Sequence, residues 1–167
     1  SVVEPTVTVC GKNLVNISDT ENVVVSGITW SCKNGVITVK GTSLNISTSI
    51  EAKIYCNCKN LSLGEYVVSG SKSNVWVYAR IIDKDDVTHF YTNNFTVNGT
   101  EKQIMVYAQV PKGVTVDTTI IPMLEKGSTV TAYEPYIAKT LTVLTTLNGI
   151  EVISGDNVTI DGKKYIA

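Results

Sequence analysis

At 167 residues the chain is long enough for one domain with a real core and a small appendage. Its formal net charge is −1, from 14 basic and 15 acidic residues, so no basic excess is available to hold a phosphate backbone, which argues against nucleic acid as a partner. No apolar run reaches the roughly 18 residues of a membrane span, and membrane insertion is not expected.

Valine, threonine, serine and asparagine are abundant, a strand-and-turn composition with little helical signal. Residues 6–10 alternate and read as a first strand. Ser26-Gly27 and Asn34-Gly35 are turn pairs on either side of a strand over 28–32, with a return strand over 36–40 that Gly41 ends. Residues 44–54 carry the clearest period of two. Leu44, Ile46, Thr48, Ile50, Ala52 and Ile54 fall on one face, and Asn45, Ser47, Ser49, Glu51 and Lys53 on the other. Another strand covers 64–69 and closes at Gly70-Ser71.

Residues 74–83 differ in carrying large side chains on the face opposite a row of smaller apolar ones. Val75, Val77, Ala79 and Ile81 form an apolar row, and Trp76, Tyr78, Arg80 and Ile82 lie opposite. A polar turn at Asp83, Lys84, Asp85 and Asp86 leads to a return strand over 87–97. After Asn98-Gly99, the strand over 104–110 repeats the two-faced pattern, with Ile104, Val106, Ala108 and Val110 inward and Met105, Tyr107 and Gln109 outward. Residues 114–124 complete the set. Many short strands with turn signals between them predict an antiparallel two-sheet β-sandwich over about residues 6–136, with Leu44, Ile46, Ile50, Ala79, Val106 and Ala108 in its core.

The stretch 122–136 reads PMLEKGSTVTAYEPY. Pro122 has no N–H and belongs at a sheet edge or bulge. Gly127 provides a turn, Pro135 holds Glu134 extended, and Tyr133 and Tyr136 are suited to pinning an exit loop onto the domain. After it, residues 141–144, 150–153, 158–160 and 163–166 read as short strands. They are split by Asn148-Gly149, Ser154-Gly155 and Asp161-Gly162. The expected division is therefore a sandwich over 1–137 and, over 138–167, a β-hairpin extension or the start of a following module.

Three segments carry a family resemblance. They are Gly11-Lys12-Asn13-Leu14, the Leu-x-x-Gly-x-Tyr-x-x-Ser-Gly pattern from Leu61 to Gly70, and the closing stretch ending in Tyr133-Glu134-Pro135-Tyr136. Together they resemble a jelly-roll module found in bacteriophage and prophage tail proteins of Gram-positive bacteria, itself similar to carbohydrate-binding modules. The matches span residues 11–136. The tail segments Gly149-Ile150-Glu151-Val152 and Asn157-Val158-Thr159 match such proteins in part. The resemblance implies an all-β jelly roll and a non-catalytic module of a tail or baseplate protein. It would sit in the virion and act outside the cell on a carbohydrate of the host surface, beside other tail proteins or modules of the same chain. The alternatives are a purely structural spacer or decoration module of the virion, or an adhesin or lectin domain of a bacterial surface. The chain is then expected to be a piece of a longer protein, and the lack of a signal-peptide pattern in residues 1–10 carries no weight.

Cys10, Cys32, Cys56 and Cys58 lack the Cys-x-x-Cys knuckles of a zinc site. A Cys10–Cys32 disulfide and reduced thiols both fit, and assembly in a reducing cytoplasm, as the resemblance implies, favours thiols. The sequons at Asn16, Asn45, Asn60, Asn94, Asn98 and Asn157 are read as unused on the same ground.

Catalysis is not expected. His89 is the one histidine, and no Gly-x-Ser-x-Gly elbow frames a serine for it. A glycosidase needs two facing carboxylates. Of the candidates Glu51, Glu65, Asp83, Asp117 and Glu125, most fit turns or solvated faces. No cofactor is called for. A structural calcium at Asp83, Asp85 and Asp86 is the one metal considered, and the turn lacks the Asp-x-Asp-x-Asp-Gly loop.

The candidate site is the outward row Trp76, Tyr78 and Arg80 beside Met105, Tyr107 and Gln109. If the two strands are neighbours, these residues make an aromatic floor with polar edges, suited to the C–H faces and hydroxyl rim of a sugar. The competing reading is that protein covers the same side chains. The carbohydrate-binding set is Trp76, Tyr78, Arg80, Tyr107 and Gln109.

Overall fold

The computed structural model describes residues 6–45, 61–142, 157–160 and 163–166. The strands among them are β1 (Thr6–Cys10), β2 (Thr20–Val25), β3 (Ile28–Lys33), β4 (Val36–Thr42), β5 (Gly64–Ser69), β6 (Trp76–Asp83) and β7 (Thr88–Tyr91). They continue with β8 (Asn94–Val97), β9 (Glu101–Gln109), β10 (Thr115–Ile120), β11 (Met123–Lys126), β12 (Ala138–Thr142), β13 (Asn157–Ile160) and β14 (Lys163–Ile166). The described residues contain no helix, and hence none long and apolar enough to cross a membrane.

The chain divides into two units, Gly11–Ile137 and a second made of Ser1–Cys10 with Ala138–Ala167. In the second unit β1 pairs antiparallel with β12, and β13 with β14. β1, expected as the first strand of the main domain, therefore belongs with the tail.

The Gly11–Ile137 unit holds three antiparallel sheets, ordered β10-β4-β3-β2, β11-β5-β8 and β7-β6-β9. The first is built from the turn pairs visible in the sequence. Ser26 and Gly27 have φ of 46° and 86°, Asn34 and Gly35 of 50° and 76°. Positive φ at both central residues matches the right-handed twist of a two-residue hairpin. The register then places Trp30 opposite Val39 and Cys32 opposite Ile37, all buried. All three sheets contribute to one hydrophobic core, through Trp30 and Val39, Tyr66 and Leu124, and Ala79 and Val106 among others.

Two strands expected as single runs are each broken and shared between sheets. The run 87–97 splits into β7, which pairs with β6, and β8, which pairs with β5. The run 114–124 splits into β10, which pairs with β4, and β11, which pairs with β5. Pro122 stands at the second break, where no ladder N–H is required of it. Gly41, expected to end β4, lies within it at φ 128°. A Cβ there would stand 2.2 Å from the Gly27 carbonyl oxygen, so the glycine lets the Ser26–Gly27 turn close onto the strand.

Of the expected core, Ala79, Val106 and Ala108 are buried and Leu44 is not; it is 65 % exposed. Leu44 lies beyond the end of β4, its N–H donating to the Ser26 carbonyl at 2.8 Å, so its side chain rests by the hairpin turn and misses the interior. Residues 46–54 of that alternating run, Ile46, Ile50 and Glu51 included, lie outside the described residues, as do Cys56, Cys58 and the expected strand over 150–153. Cys32 is a buried free thiol, so no Cys10–Cys32 disulfide forms, and burial pushes that thiol's pKa up.

The opening and closing motifs meet. Asn13 is 1 % exposed, and its side chain joins four backbone groups. Its amide donates to the carbonyls of Pro122 (3.4 Å) and Glu134 (3.0 Å). Its Oδ1 accepts from the N–H groups of Val15 (2.9 Å) and Leu124 (3.3 Å). Glu125, one of the five carboxylates considered for a glycosidase pair, is buried at 2 % and accepts from the Thr131 N–H (2.8 Å) and hydroxyl (2.7 Å). Lys12 reaches Glu134 at 3.3 Å. These contacts make the two motifs a clasp that holds the exit segment.

Candidate functional site

The candidate residues lie on the β7-β6-β9 sheet, and the register makes them neighbours. Trp76 stands opposite Gln109, Tyr78 opposite Tyr107 and Arg80 opposite Met105. Alternation along β6 sends Val77, Ala79 and Ile81 into the core and Trp76, Tyr78 and Arg80 to the other face. The two strands thus carry their aromatic rows side by side, as the two-faced patterns predict.

Their exposure is uneven. Trp76 is 50 % exposed, Tyr78, Arg80 and Gln109 are half-buried, and Tyr107 and Met105 are buried at 3 % and 2 %. Tyr107 was expected as part of an open platform; it is instead a support beneath one. The Tyr78 ring stacks on it at 5.7 Å between centroids and 15° between planes. The Tyr107 hydroxyl donates to the Met105 sulfur at 3.1 Å and accepts from the Arg80 guanidinium at 3.4 Å. These contacts fix the Tyr78 ring and the Arg80 head.

Phe90 is the residue that reading the sequence missed. It is 63 % exposed, lies opposite Arg80 on β7, and meets Tyr78 edge-on at 5.7 Å. The outward face therefore offers Trp76, Tyr78 and Phe90, with Arg80 and Gln109 as polar groups. The signal for Phe90 was its place between His89 and Tyr91, on the opposite parity to both in the return strand, but only the β6–β7 register says which face that parity selects.

The acidic turn beside the sheet is self-contained. Asp83 Oδ1 accepts from the N–H groups of Asp85 and Val87, both at 2.9 Å, and its Oδ2 lies 2.8 Å from His89 Nε2. Asp85 pairs with Lys84 and Asp86 with Lys102. The three carboxylates considered for calcium point to separate partners, and among the described residues no group of three or more His, Cys, Asp or Glu side chains converges. Asp83 is thus a turn cap, and His89 its partner.

This pairing has a pH consequence. The hydrogen bond from His89, then the backbone N–H of Val87, holds the Asp83 carboxyl below its ordinary value. Asp19 is lowered by Lys33 and then by the Asn34 N–H. Carboxyls that bind protons less tightly when folded stabilise the fold above the unfolded pKa, about 3.9, and lose that contribution as pH falls through the lower folded value. The thermal midpoint of the parent should fall more steeply below about pH 4 than that of an Asp19→Asn, Asp83→Asn double variant. Parallel acid limbs in the two melting series would contradict this.

Comparison of the chain with protein-family models, with curated proteins and with solved structures found no match.

Proposed function

We propose that the Gly11–Ile137 unit is a jelly-roll β-sandwich acting as a non-catalytic, carbohydrate-binding module of a bacteriophage or prophage tail or baseplate protein, directed at a surface glycan of a Gram-positive host. The observation that carries the binding reading is the outward face of β6, where half-exposed Trp76 and exposed Phe90 flank a Tyr78 ring held on buried Tyr107. A monomeric soluble surface has little reason to keep such rings open to water unless something docks there. Sugar rings present flat C–H faces to aromatic side chains and hydroxyls to Arg80 and Gln109. The jelly-roll reading is supported by three antiparallel sheets that share one core and by the motifs at residues 11–14, 61–70 and 122–136.

The second reading is a structural spacer or decoration module. Burial of Met105 and Tyr107 on the same face favours it, because part of that face already serves packing.

The test is a Trp76→Ala, Phe90→Ala pair examined for binding to purified host cell-wall polysaccharide and to whole cells. Each single variant should weaken binding about 2- to 12-fold, as loss of one stacking contact worth about 0.5–1.5 kcal/mol implies. A weak single site gains strength when the module is repeated along a tail, so the assay needs a multivalent display. Absence of any binding by the multivalent parent, with both variants folded, would leave the spacer reading in its place.

A further inference from the structure

A cleft of about 250 Å³ lies away from the aromatic face, between the Asn34–Gly35 hairpin turn and the exit segment. Tyr133, Tyr136, Pro122 and Pro135 supply rings to its wall, and Asn16 and Asn34 supply amides; neither Trp76 nor Phe90 lines it. Its walls are held from behind. The Asn13 side chain ties the Pro122 and Glu134 carbonyls, and Asp19 accepts the Asn34 N–H at 2.7 Å. Gly35 allows the close approach of the turn, since a Cβ there would meet the Tyr133 hydroxyl at 2.9 Å. The cleft is thus built by the clasp, and the closing motif acquires a purpose beyond ending the domain.

We propose that this cleft is a second binding site, which takes one uncharged pyranose ring. Its size lies below the roughly 300 Å³ at which pockets for drug-sized ligands begin, so the occupant is about one ring across. Among the described residues no charged side chain lines it, which selects against anionic and cationic ligands. The side-chain amides of Asn16 and Asn34 have no partner among the described residues. Each offers an acceptor oxygen and two donors, matching vicinal hydroxyls that both donate and accept. The tyrosine and proline rings offer apolar surface to the C–H face. The site does not depend on the function proposed for Trp76 and Phe90, and it can exist on a spacer module as well.

The probes are uncharged methyl glycosides of glucose, galactose and N-acetylglucosamine, with a proline-rich peptide as the competing occupant, each titrated into ¹⁵N-labelled protein. The expected result is saturable movement of the Asn16 and Asn34 side-chain amide signals and the Gly35 backbone signal with at least one glycoside. Asn16→Ala should weaken that binding by ~3- to 10-fold, the loss of one hydrogen bond. Tyr133→Phe, which keeps the ring, should retain it within a few-fold, and Trp76→Ala should leave it unchanged. The proposal is overturned if no glycoside moves these signals, if only the peptide does, or if Asn16→Ala leaves the affinity unaltered. Signals that respond in the parent but not in Trp76→Ala would transfer the binding to the aromatic face and also overturn it.

Discussion

Replacing Asn13 with alanine should lower the stability of the Gly11–Ile137 unit by about 3–5 kcal/mol, although the residue sits in a segment with no regular secondary structure. The side chain is 1 % exposed and joins four backbone groups that belong to three separate pieces of chain. Alanine removes both donors and the acceptor at once, and a buried group left unpaired costs about 1–3 kcal/mol. For a domain whose whole stability is about 5–15 kcal/mol, that is a large fraction, and the thermal midpoint should drop by about 10 °C or more. Asn13→Asp keeps the acceptor to Val15 and Leu124 but loses both donated bonds and buries a charge, so it should be no better than alanine. Lys12→Ala, one residue earlier, removes ion pairs to exposed Glu134 at 3.3 Å and to buried Glu125 at 3.9 Å, and should cost less than Asn13→Ala because Thr131 still satisfies Glu125. Thermal melts of the three variants beside the parent decide the matter. A midpoint for Asn13→Ala within 2 or so degrees of the parent, roughly 0.5 kcal/mol, would show that the clasp contributes little.

Tyr107→Ala and Trp76→Ala should behave as opposites, though the two residues look alike in the sequence. Tyr107 is 3 % exposed and packs under Tyr78, so truncation should destabilise the unit by about 3–5 kcal/mol, as for other buried aromatics. Trp76 is half-exposed, and its truncation should change stability by about 1 kcal/mol while removing a contact surface. Tyr107→Phe separates support from contact. It keeps the ring beneath Tyr78 and loses the hydroxyl contacts to Met105 and Arg80, so stability should fall by about 1 kcal/mol and glycan binding should persist within a few-fold. Denaturant unfolding gives the first quantity and polysaccharide binding the second. If Trp76→Ala instead proved as destabilising as Tyr107→Ala, the outward face would be a packing surface, and the proposed binding role of Trp76 would fall with it.

The sequence by itself determined the class of structure and the local turns. Alternation in 28–32, 36–40 and 74–83 marked β3, β4 and β6, because a strand with one face in the core must repeat every second residue. Ser26-Gly27 and Asn34-Gly35 announced two-residue hairpins because few residues accept positive φ at two successive positions. The same period put Trp76, Tyr78 and Arg80 on one face of β6, and Met105, Tyr107 and Gln109 on one face of β9. That pattern is a property of the chain alone.

Tertiary structure decided the rest. Whether β6 and β9 pair, and in what register, depends on contacts some 30 residues apart that no local pattern encodes. Only that pairing puts Tyr78 over Tyr107 and turns an expected contact residue into a support. The runs 87–97 and 114–124 look continuous because β7 and β8, like β10 and β11, are all apolar-patterned; the change of sheet at each break comes from partners elsewhere in the chain. Asn13 and Glu125 are polar residues that composition assigns to the surface, and they are buried because distant backbone groups satisfy them. Burial of a polar group is set by the partners it finds, and those exist only once the fold has brought residues 13 and 134 together.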